Sequence, residues 1–168
     1  IFHEFYMSGR FIRLFHASPY SLSTIFNPMF SNKDTIRGND EHTSVMDLFA
    51  NTSFIGKTEY DPIPDVVGYG HIHTPNILRF KNKTIFNPGS VGMPIEMMNT
   101  PNYVEDDRFS TVCSYIILEG NYGSKDLTSF SINLVRIPYD INKEIEFLKA
   151  SDMPNKEKII GSLKTACS

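Results

Sequence analysis

Short apolar runs separated by turn residues recur along the chain and predict a protein rich in β-strands. The residues that bound these runs are mostly glycine, asparagine and proline, which favour tight turns. Paired runs predict three β-hairpins, with one buried strand between the first two. The predicted strands are residues 2–7, 10–15, 65–70, 77–81, 84–87, 110–118 and 128–137, with hairpin turns at Ser8-Gly9, Asn82-Lys83 and the Gly120 to Gly123 region.

Two stretches near the C-terminus have helical spacing of apolar residues instead. Asp140 and Pro154 mark the starts of these two predicted helices. Their apolar positions are Ile141, Ile145 and Leu148 in the first helix and Ile159, Ile160 and Leu163 in the second. Strands and helices in a chain of 168 residues and 19.1 kDa predict a single α/β domain over residues 1–168.

Residues 20–42 lack periodicity and contain several turn signals, which predicts a long surface excursion. Thr43 or Ser44 can cap a short helix after it. The apolar side of that helix would consist of Val45, Met46, Leu48 and Phe49. Because long loops often serve a site, we expect the excursion over residues 20–60 to lie over the site and to influence which substrate enters.

Composition and charge narrow the class of protein. The net charge is −3 and charged residues make up 21% of the chain, so nucleic-acid binding is not expected. Two cysteines cannot form a disulfide framework, and Cys113 lies in an apolar run where we predict a buried thiol, which favours a reducing cytoplasm. No apolar stretch approaches the roughly 18 residues that cross a bilayer, so a membrane anchor is not predicted. The chain opens at Ile1 on sequence typical of a strand, and we expect chain upstream of it.

Two of the five histidines form the tripeptide His71-Ile72-His73, directly after the predicted strand at 65–70. In an extended segment, imidazoles at i and i+2 project to the same side and can bind one metal ion or two adjacent ones. Gly68 and Gly70 would allow a tight turn and a close approach to a ligand. Zinc, iron and manganese all accept imidazole ligands.

Other interpretations of these histidines remain open. A bare His-x-His is more often a pair of polar loop residues than a metal site. The metallo-β-lactamase pattern is excluded because Pro75 stands where its aspartate belongs, and an amidohydrolase barrel needs about 250 residues. His16 follows an apolar strand, and the carboxyl ends of strands are where α/β folds collect ligands. A single histidine in this position is more often an ordinary loop residue. His3 and His42 are expected to be structural or solvated, with a small chance that His42 touches substrate.

Two segments of the chain resemble one enzyme family. Residues 65–94 read DVVGYGHIHTPNILRFKNKTIFNPGSVGMP, which closely resembles the Gly-His-x-His motif and the following Asn-Pro-Gly-Ser-Val-Gly-x-Pro segment of calcineurin-like metallophosphoesterases. LFHASP at 14–19 is similar to the family's earlier His-Gly-Ser-Pro element. Residues 137–154 resemble the C-terminal strand and helices of its bacterial small-phosphoesterase branch.

This resemblance implies a fold, an activity and a set of site residues. The fold would be part of a four-layer αββα sandwich that holds two divalent metal ions, Mn, Fe, Zn or Ni. By resemblance, His16 and His71 would bind one metal ion and His73 the other. Gly70, Asn87 and Ser90 match positions beside the site that brace the ligand loops. The implied activity is metal-dependent hydrolysis of phosphate mono- or diesters, with substrates such as nucleotides.

The chain departs from this family in its missing N-terminal motifs. Gly-Asp and Gly-Asn-His-Asp/Glu do not occur in it, and its one Asp-x-His, Asp40-Glu41-His42, lies between the two matching segments and not ahead of them. In the family, these motifs supply the remaining metal ligands and the general acid. We therefore expect a C-terminal portion whose partner is the missing N-terminal segment of the same protein. No catalytic residue is identifiable in this chain, so alone it should be nearly inactive.

Two rival functions remain. One is a non-catalytic binding or scaffold protein on the same fold, as in the retromer subunit that resembles these phosphoesterases. It predicts no metal-dependent turnover and an exposed apolar patch. The other is a histidine metal-binding module that hydrolyses nothing.

Overall fold

The computed structural model describes residues 2–23, 45–96 and 108–166, which form a mixed α/β fold. Its strands are β1 (Phe2–Met7), β2 (Arg10–Phe15), β3 (Val66–Tyr69), β4 (Asn76–Phe80), β5 (Lys83–Asn87), β6 (Ile95–Glu96), β7 (Arg108–Phe109), β8 (Val112–Glu119) and β9 (Ser131–Pro138). Its α-helices are α1 (Ile141–Ala150) and α2 (Lys156–Ala166), and 3₁₀ turns cover Val45–Phe49 and Ser53–Ile55.

A five-stranded sheet forms the centre of the fold, in the order β1-β2-β3-β5-β4. The three inner strands β2, β3 and β5 are parallel, and each outer strand is joined to its inner neighbour as an antiparallel hairpin. All four residues of β3 are buried, which explains why this strand is a continuous apolar run. The parallel arrangement brings the carboxyl ends of β2, β3 and β5 to one edge of the sheet.

The two faces of this sheet are covered by different parts of the chain. The 3₁₀ turn Val45–Phe49 packs against one face, which we call the 3₁₀ face, and the hairpin of β8 and β9 packs against the other, the hairpin face. The core on the 3₁₀ face consists of Phe15, Leu48, Phe49, Val67, Tyr69 and Ile85. The core on the hairpin face consists of Met7, Ile12, Val66 and Phe86, with Ile116, Leu118, Phe130 and Ile132 packed against it.

Ser8 fastens the β8–β9 hairpin to the β1–β2 turn. Its hydroxyl donates to the Ser129 carbonyl at 2.8 Å and accepts from the Asn121 amide at 2.9 Å. Its own amide donates to the Asn121 carbonyl at 3.0 Å. Ser8 is fully buried and has a φ of +49°, so the predicted Ser8-Gly9 turn also serves as a tertiary contact.

A buried ion pair connects the sheet to the segment after residue 45. Arg13 is fully buried on β2, and its Nε donates to Glu4 Oε1 at 2.8 Å across the β1–β2 ladder. The Arg13 guanidinium also donates to the Ala50 carbonyl at 2.8 Å and to Asn51 Oδ1 at 2.6 Å. Because its charge and most of its donors are satisfied, the guanidinium can lie inside the fold.

The C-terminal helices form a small separate core. Asp140 caps α1 as predicted, since its Oδ1 accepts from the Lys143 amide at 3.0 Å. The predicted apolar positions of both helices pack together. Partly buried Ile159 packs against a buried cluster of Ile141, Ile145, Leu148, Ile160 and Leu163. No helix among the described residues is long and apolar enough to span a membrane.

The predicted hairpins are confirmed, with one shift of register. The second hairpin turns at Lys81-Asn82 and not at Asn82-Lys83, and Lys83 already pairs with Phe80 in the ladder. Both turn residues have positive φ, 48° and 63°, as a two-residue type I′ turn requires, and Asn82 suits its second position. The turn predicted at Asn82-Lys83 is therefore one residue too far along the chain.

Other differences are local. The short pair β6 and β7 was not predicted, because two-residue strands leave no pattern. Cys113 is a buried free thiol, as predicted. Of the predicted excursion, residues 24–44, with His42 and the candidate caps Thr43 and Ser44, lie outside the described residues. The predicted short helix after them is the 3₁₀ turn Val45–Phe49, whose Leu48 and Phe49 are buried against the sheet.

Candidate metal-binding edge of the sheet

The candidate site lies where the parallel strands end. His16 follows the last residue of β2, Gly70 and His71 follow β3, and Asn87 is the last residue of β5. The Gly70 amide donates to the His16 carbonyl at 2.7 Å, which extends the β2–β3 pairing by one step. A Cβ on Gly70 would lie 3.1 Å from that carbonyl oxygen, so glycine permits the close approach of the two chains.

The structure brings His16 and His71 together from 55 positions apart in the sequence. His16 Nε2 lies 3.1 Å from His71 Nδ1, and the two rings meet edge to face with centroids 5.0 Å apart. Two nitrogens bound to one ion at about 2.0–2.1 Å are separated by about 2.9 Å at a right angle and about 3.3 Å at a tetrahedral angle. The observed separation falls between these values, and it also suits a hydrogen bond from one ring to the other in the metal-free protein.

The backbone at His71 is strained. The Ile72 amide donates to the Gly70 carbonyl at 2.9 Å and closes a three-residue γ-turn around His71, whose φ is +73°. This is the rare, left-handed form of the turn. His73 also has a positive φ, of 53°. Strain of this kind costs about 1–3 kcal/mol per residue and tends to occur at functional sites.

The prediction that His71 and His73 share one side of an extended segment is therefore wrong. The strand ends at Tyr69; His71 lies in a bend after it and His73 in irregular chain before β4. The reason is the γ-turn, which reverses the chain immediately after Gly70. Gly68 also differs from its predicted role, because it lies inside β3, where the Leu14 and Phe86 side chains fill the space a Cβ would need.

Burial and neighbouring imidazoles favour the neutral form of His71. Partial burial lowers the pKa of His71 below its usual value of 6.5, and His16 and then His73 lower it further by repulsion. A backbone hydrogen bond with Ser23 opposes this shift without cancelling it. A neutral imidazole keeps a lone pair at one nitrogen, which is the form that binds a metal ion.

His73 is oriented by a carbonyl group. Its Nδ1 lies 3.0 Å from the Met93 carbonyl oxygen. Because a carbonyl only accepts, Nδ1 carries the proton and Nε2 of the neutral ring carries the lone pair. A ligand histidine typically shows this arrangement, with its second nitrogen bonded to a carbonyl or carboxylate.

Asn87 connects the two loops that follow β3 and β5. It is fully buried, its Nδ2 donates to the Gly70 carbonyl at 3.0 Å, and its Oδ1 accepts from the Gly89 amide at 2.8 Å. The Gly70 carbonyl is the acceptor of the γ-turn around His71. Asn87 therefore holds the peptide from which His71 projects.

The loop after β5 reaches His73 through Ser90. The Met93 amide donates to Ser90 Oγ at 3.0 Å, and the Met93 carbonyl accepts from His73. The Ser90 carbonyl in turn accepts from the Ser114 amide of β8 at 3.1 Å. A chain of contacts thus runs from the β8–β9 hairpin to the His73 ring.

Sequence reasoning missed two participants at this edge. Met93 contributes only its backbone carbonyl, so the identity of its side chain does not indicate the role. Ser114 could have been noticed, because it is a hydroxyl residue inside the apolar run of β8. Gly89 has a φ of +76°, and a Cβ there would collide with Ser114 Oγ, so β8 and the loop meet in close contact.

The three histidine rings suit a transition metal ion, which needs further ligands to complete its coordination. Two imidazole nitrogens at coordination spacing and a third ring with its tautomer fixed suit zinc, manganese, iron or nickel. Across residues 2–23, 45–96 and 108–166, no group of three or more His, Cys, Asp or Glu side chains is arranged to hold a metal ion. The ligand roles of His16, His71 and His73, and the bracing roles of Gly70, Asn87 and Ser90, stay predictions. His3 lies on β1 opposite Leu14, where it is exposed and its ring lies 5.4 Å from that of Phe5.

Comparison with known proteins leaves the family open. No protein-family model and no curated protein matches the chain. One similar solved structure is a single mutant of Vps29 from Entamoeba histolytica, with 18% sequence identity and a TM-score of 0.35. The match covers 83% of this chain and 61% of that one, so the chain spans about three fifths of its length. Similarity this low carries no argument, and any functional inference rests on the geometry described above.

Proposed function

We propose that the chain is part of a dinuclear metal-dependent phosphoesterase of the calcineurin-like type, related to its bacterial small-phosphoesterase branch. In this proposal, His16, His71 and His73 are metal ligands, and the sheet described above is part of a four-layer αββα sandwich. The observation that carries the proposal is the 3.1 Å separation of His16 Nε2 and His71 Nδ1 at the carboxyl ends of adjacent parallel strands.

Each residue of this edge has a stated task in the proposal. His16 and His71 bind one ion together, and His73 uses its Nε2 for the other. Asn87 fixes the turn that presents His71, and Ser90 fixes the carbonyl that orients His73. Divalent metal ions, when bound, polarise phosphoryl oxygens and lower the pKa of water toward neutrality.

The proposed substrate is a phosphate mono- or diester, such as a nucleotide. The remaining metal ligands and the general acid are proposed to come from an upstream segment of the same protein. On this view the chain alone binds metal weakly and turns over little substrate, and the cytoplasm is the proposed location.

Metal binding by this chain tests the ligand assignment. Isothermal titration with Zn²⁺ and with Mn²⁺ should show a site that is lost in His16→Ala and in His71→Ala. His3→Ala is the matched control, because it removes an exposed imidazole from the outer strand of the same sheet, where the ring lies beside Phe5. Equal Zn²⁺ affinity in the wild type and in both site variants would refute the assignment.

Hydrolysis tests the function itself. The protein purified from its natural source should hydrolyse p-nitrophenyl phosphate or its bis ester with Mn²⁺. Replacing His71 by alanine in the complete protein should reduce turnover by at least about a hundredfold, while His3→Ala leaves it unchanged. Metal binding without any hydrolysis in the complete protein would indicate the non-catalytic metal-binding module.

A scaffold function is the second candidate, and one surface favours it. The outer face of the β8–β9 hairpin exposes Tyr115 (38%), Ile117 (42%) and Ile137 (43%), which share the side turned away from the sheet. Exposed apolar patches often serve protein contacts. This candidate predicts that Ile117→Asp abolishes capture of a partner by the complete protein and that His71→Ala has no effect on it.

A further inference from the structure

A cavity lies at the end of the sheet opposite to the histidines. Its volume is about 490 Å³, which is within the range of small-molecule sites. Asp65 and Thr84, at the amino ends of β3 and β5, line it together with the turns Gly9-Arg10 and Asn82. The histidines follow the carboxyl ends of the same parallel strands, so this cavity is distinct from the candidate metal site.

The cavity exists because the β8–β9 hairpin covers only part of its sheet face. The hairpin packs against the core of Met7, Ile12, Val66 and Phe86, and Ser8 fastens it at the β1–β2 turn. Ile77 and Arg79 of β4 pair with Phe86 and Thr84 of β5 on the same face. This β4–β5 part of the face forms one wall of the cavity, and Phe130 and Ile132 form the opposite wall.

Two guanidinium groups give the cavity a positive charge. Arg79 is exposed and has no hydrogen bond or ion pair with any other described residue. Arg10 is held in place, since its Nη1 donates to the carbonyls of Ser8 at 2.7 Å and Thr128 at 3.1 Å, and its guanidinium lies 5.1 Å from the centre of the Phe130 ring. Its Nε and Nη2 make no hydrogen bond within the described part of the chain.

The one carboxylate in the lining is already engaged. Asp65 Oδ2 accepts from the Phe11 amide at 2.9 Å, and Oδ1 lies 4.0 Å from Lys83 Nζ. The charge of Asp65 is therefore offset by Lys83, and the two arginines determine the sign of the cavity. Arginine donors in a fixed fork match the paired oxygens of carboxylate and phosphate groups.

The remaining lining is apolar. Ile77 and Leu127 are exposed at 37% and 80%, and Phe130 and Ile132 lie beside them. A simple inorganic anion would leave this surface in contact with water. An anion with an apolar body would cover it and would gain roughly 25 cal/mol for each Å² that it buries.

We propose that this cavity binds a small organic anion, with its oxyanion head on Arg79 and Arg10 and its apolar or aromatic body against Ile77, Leu127 and Phe130. The head group can be a carboxylate or a phosphate, because both accept the same paired donors. The site is independent of the histidine edge and of the function proposed for it.

A fluorescence titration with anilinonaphthalene sulfonate, an aromatic anion, tests this proposal. We expect saturable binding at one site, weakened about tenfold or more in Arg79→Gln, because a charge-assisted interaction is lost. Lys81→Gln is the matched control: it removes an equal charge two residues away, outside the cavity, and should bind as the wild type does. Leu127→Ala should weaken binding several-fold through lost apolar contact. Arg79 and Leu127 are both exposed, so their replacement should leave the fold intact. Near-ultraviolet circular dichroism verifies that each variant is folded.

Displacement of the probe separates the two halves of the proposed ligand. Phenylphosphonate should displace it at a much lower concentration than inorganic phosphate, which has the same head group without the apolar body. In amide NMR spectra the Thr84 and Asn82 signals should shift while the Gly70 signal does not. Equal loss of binding in Arg79→Gln and Lys81→Gln, equal displacement by the two phosphorus compounds, or signal shifts at the histidine edge would each overturn the proposal.

Discussion

Replacement of Asn87 by alanine should destabilise the protein and weaken its proposed metal site together. The side chain is fully buried and makes two hydrogen bonds, to the Gly70 carbonyl at 3.0 Å and from the Gly89 amide at 2.8 Å. Each is worth about 0.5–1.5 kcal/mol, and a buried group left without a partner costs a further 1–3 kcal/mol. Because Gly70 keeps its second donor, the Ile72 amide, only the Gly89 amide loses its partner. We therefore expect a loss of about 2–6 kcal/mol in the free energy of unfolding.

Urea unfolding followed by circular dichroism measures this loss. Asn133→Ala is the matched control, since Asn133 is an exposed asparagine of β9 that bonds to Glu119 and Ser131. Its replacement should change stability by less than about 0.5 kcal/mol. Zn²⁺ affinity should fall about 10–100-fold in Asn87→Ala, because outer partners of a metal ligand have effects of this size.

Asn87→Asp tests the hydrogen bond that Asn87 donates to the Gly70 carbonyl. The aspartate keeps an acceptor for the Gly89 amide but turns a carboxylate oxygen toward the Gly70 carbonyl. It should be at least as destabilising at pH 7 as alanine and should recover stability at low pH, when the carboxyl is protonated and can donate. A change below about 1 kcal/mol in Asn87→Ala, or unchanged Zn²⁺ affinity in a destabilised variant, would refute the bracing role.

Three further predictions concern single positions. His71 should titrate below the ordinary pKa of 6.5, because burial and neighbouring imidazoles disfavour its charged form, and NMR of its ring protons measures this. The folded protein then binds fewer protons than the unfolded chain between the lowered pKa and 6.5, so stability should rise with pH across that window, and His71→Ala should flatten the rise. Gly89→Ala should cost about 2–5 kcal/mol, and Gly123→Ala, at the same φ of 76° but in open space, about 1–2 kcal/mol. Arg13→Ala should cost about 2–4 kcal/mol in thermal unfolding, because it removes the donor to Glu4, Ala50 and Asn51, while Lys57 Nζ, 2.6 Å from Glu4 Oε2, still offsets the Glu4 charge.

Each of these has an outcome that contradicts it. A pKa of His71 at or above 6.5 in the metal-free protein would mean that its ring is neither buried nor faced by His16. Equal costs for the two glycine variants would mean that β8 does not approach the loop after β5. A loss below about 1 kcal/mol in Arg13→Ala would place that guanidinium in solvent.

The hairpins and helix starts could be predicted because their signals are local. Ser8-Gly9 and Asp140 determine their own turn and cap, and the apolar run before Gly70 marks a strand buried on both faces. Arg13 shows the limit of such signals. It stands within an apolar run, and its burial depends on Glu4, which lies opposite it only after the hairpin has formed.

The sequence indicated which histidines belong to the candidate site, but it did not indicate their geometry. His16 and His71 were identified from their positions after strands, and parallel pairing of β2 with β3 brings them together. The conformation of His71 depends on a carbonyl held by Asn87, 17 residues away. No periodicity in the sequence encodes that contact. The cavity beside Arg79 was equally hidden, because it results from the incomplete cover of one sheet face by a distant hairpin.

The parallel pairing of β2 with β3 also has a kinetic consequence. The β1–β2 and β4–β5 hairpins close over two-residue turns and can form within microseconds, whereas joining them through β3 requires closure of a loop of about fifty residues. The two imidazoles meet only in this late step. If the pair is absent from the folding transition state, an ion bound to it stabilises the native state alone and slows unfolding without hastening folding. A bound metal would then extend the lifetime of the folded protein against proteolysis more than it would aid its synthesis.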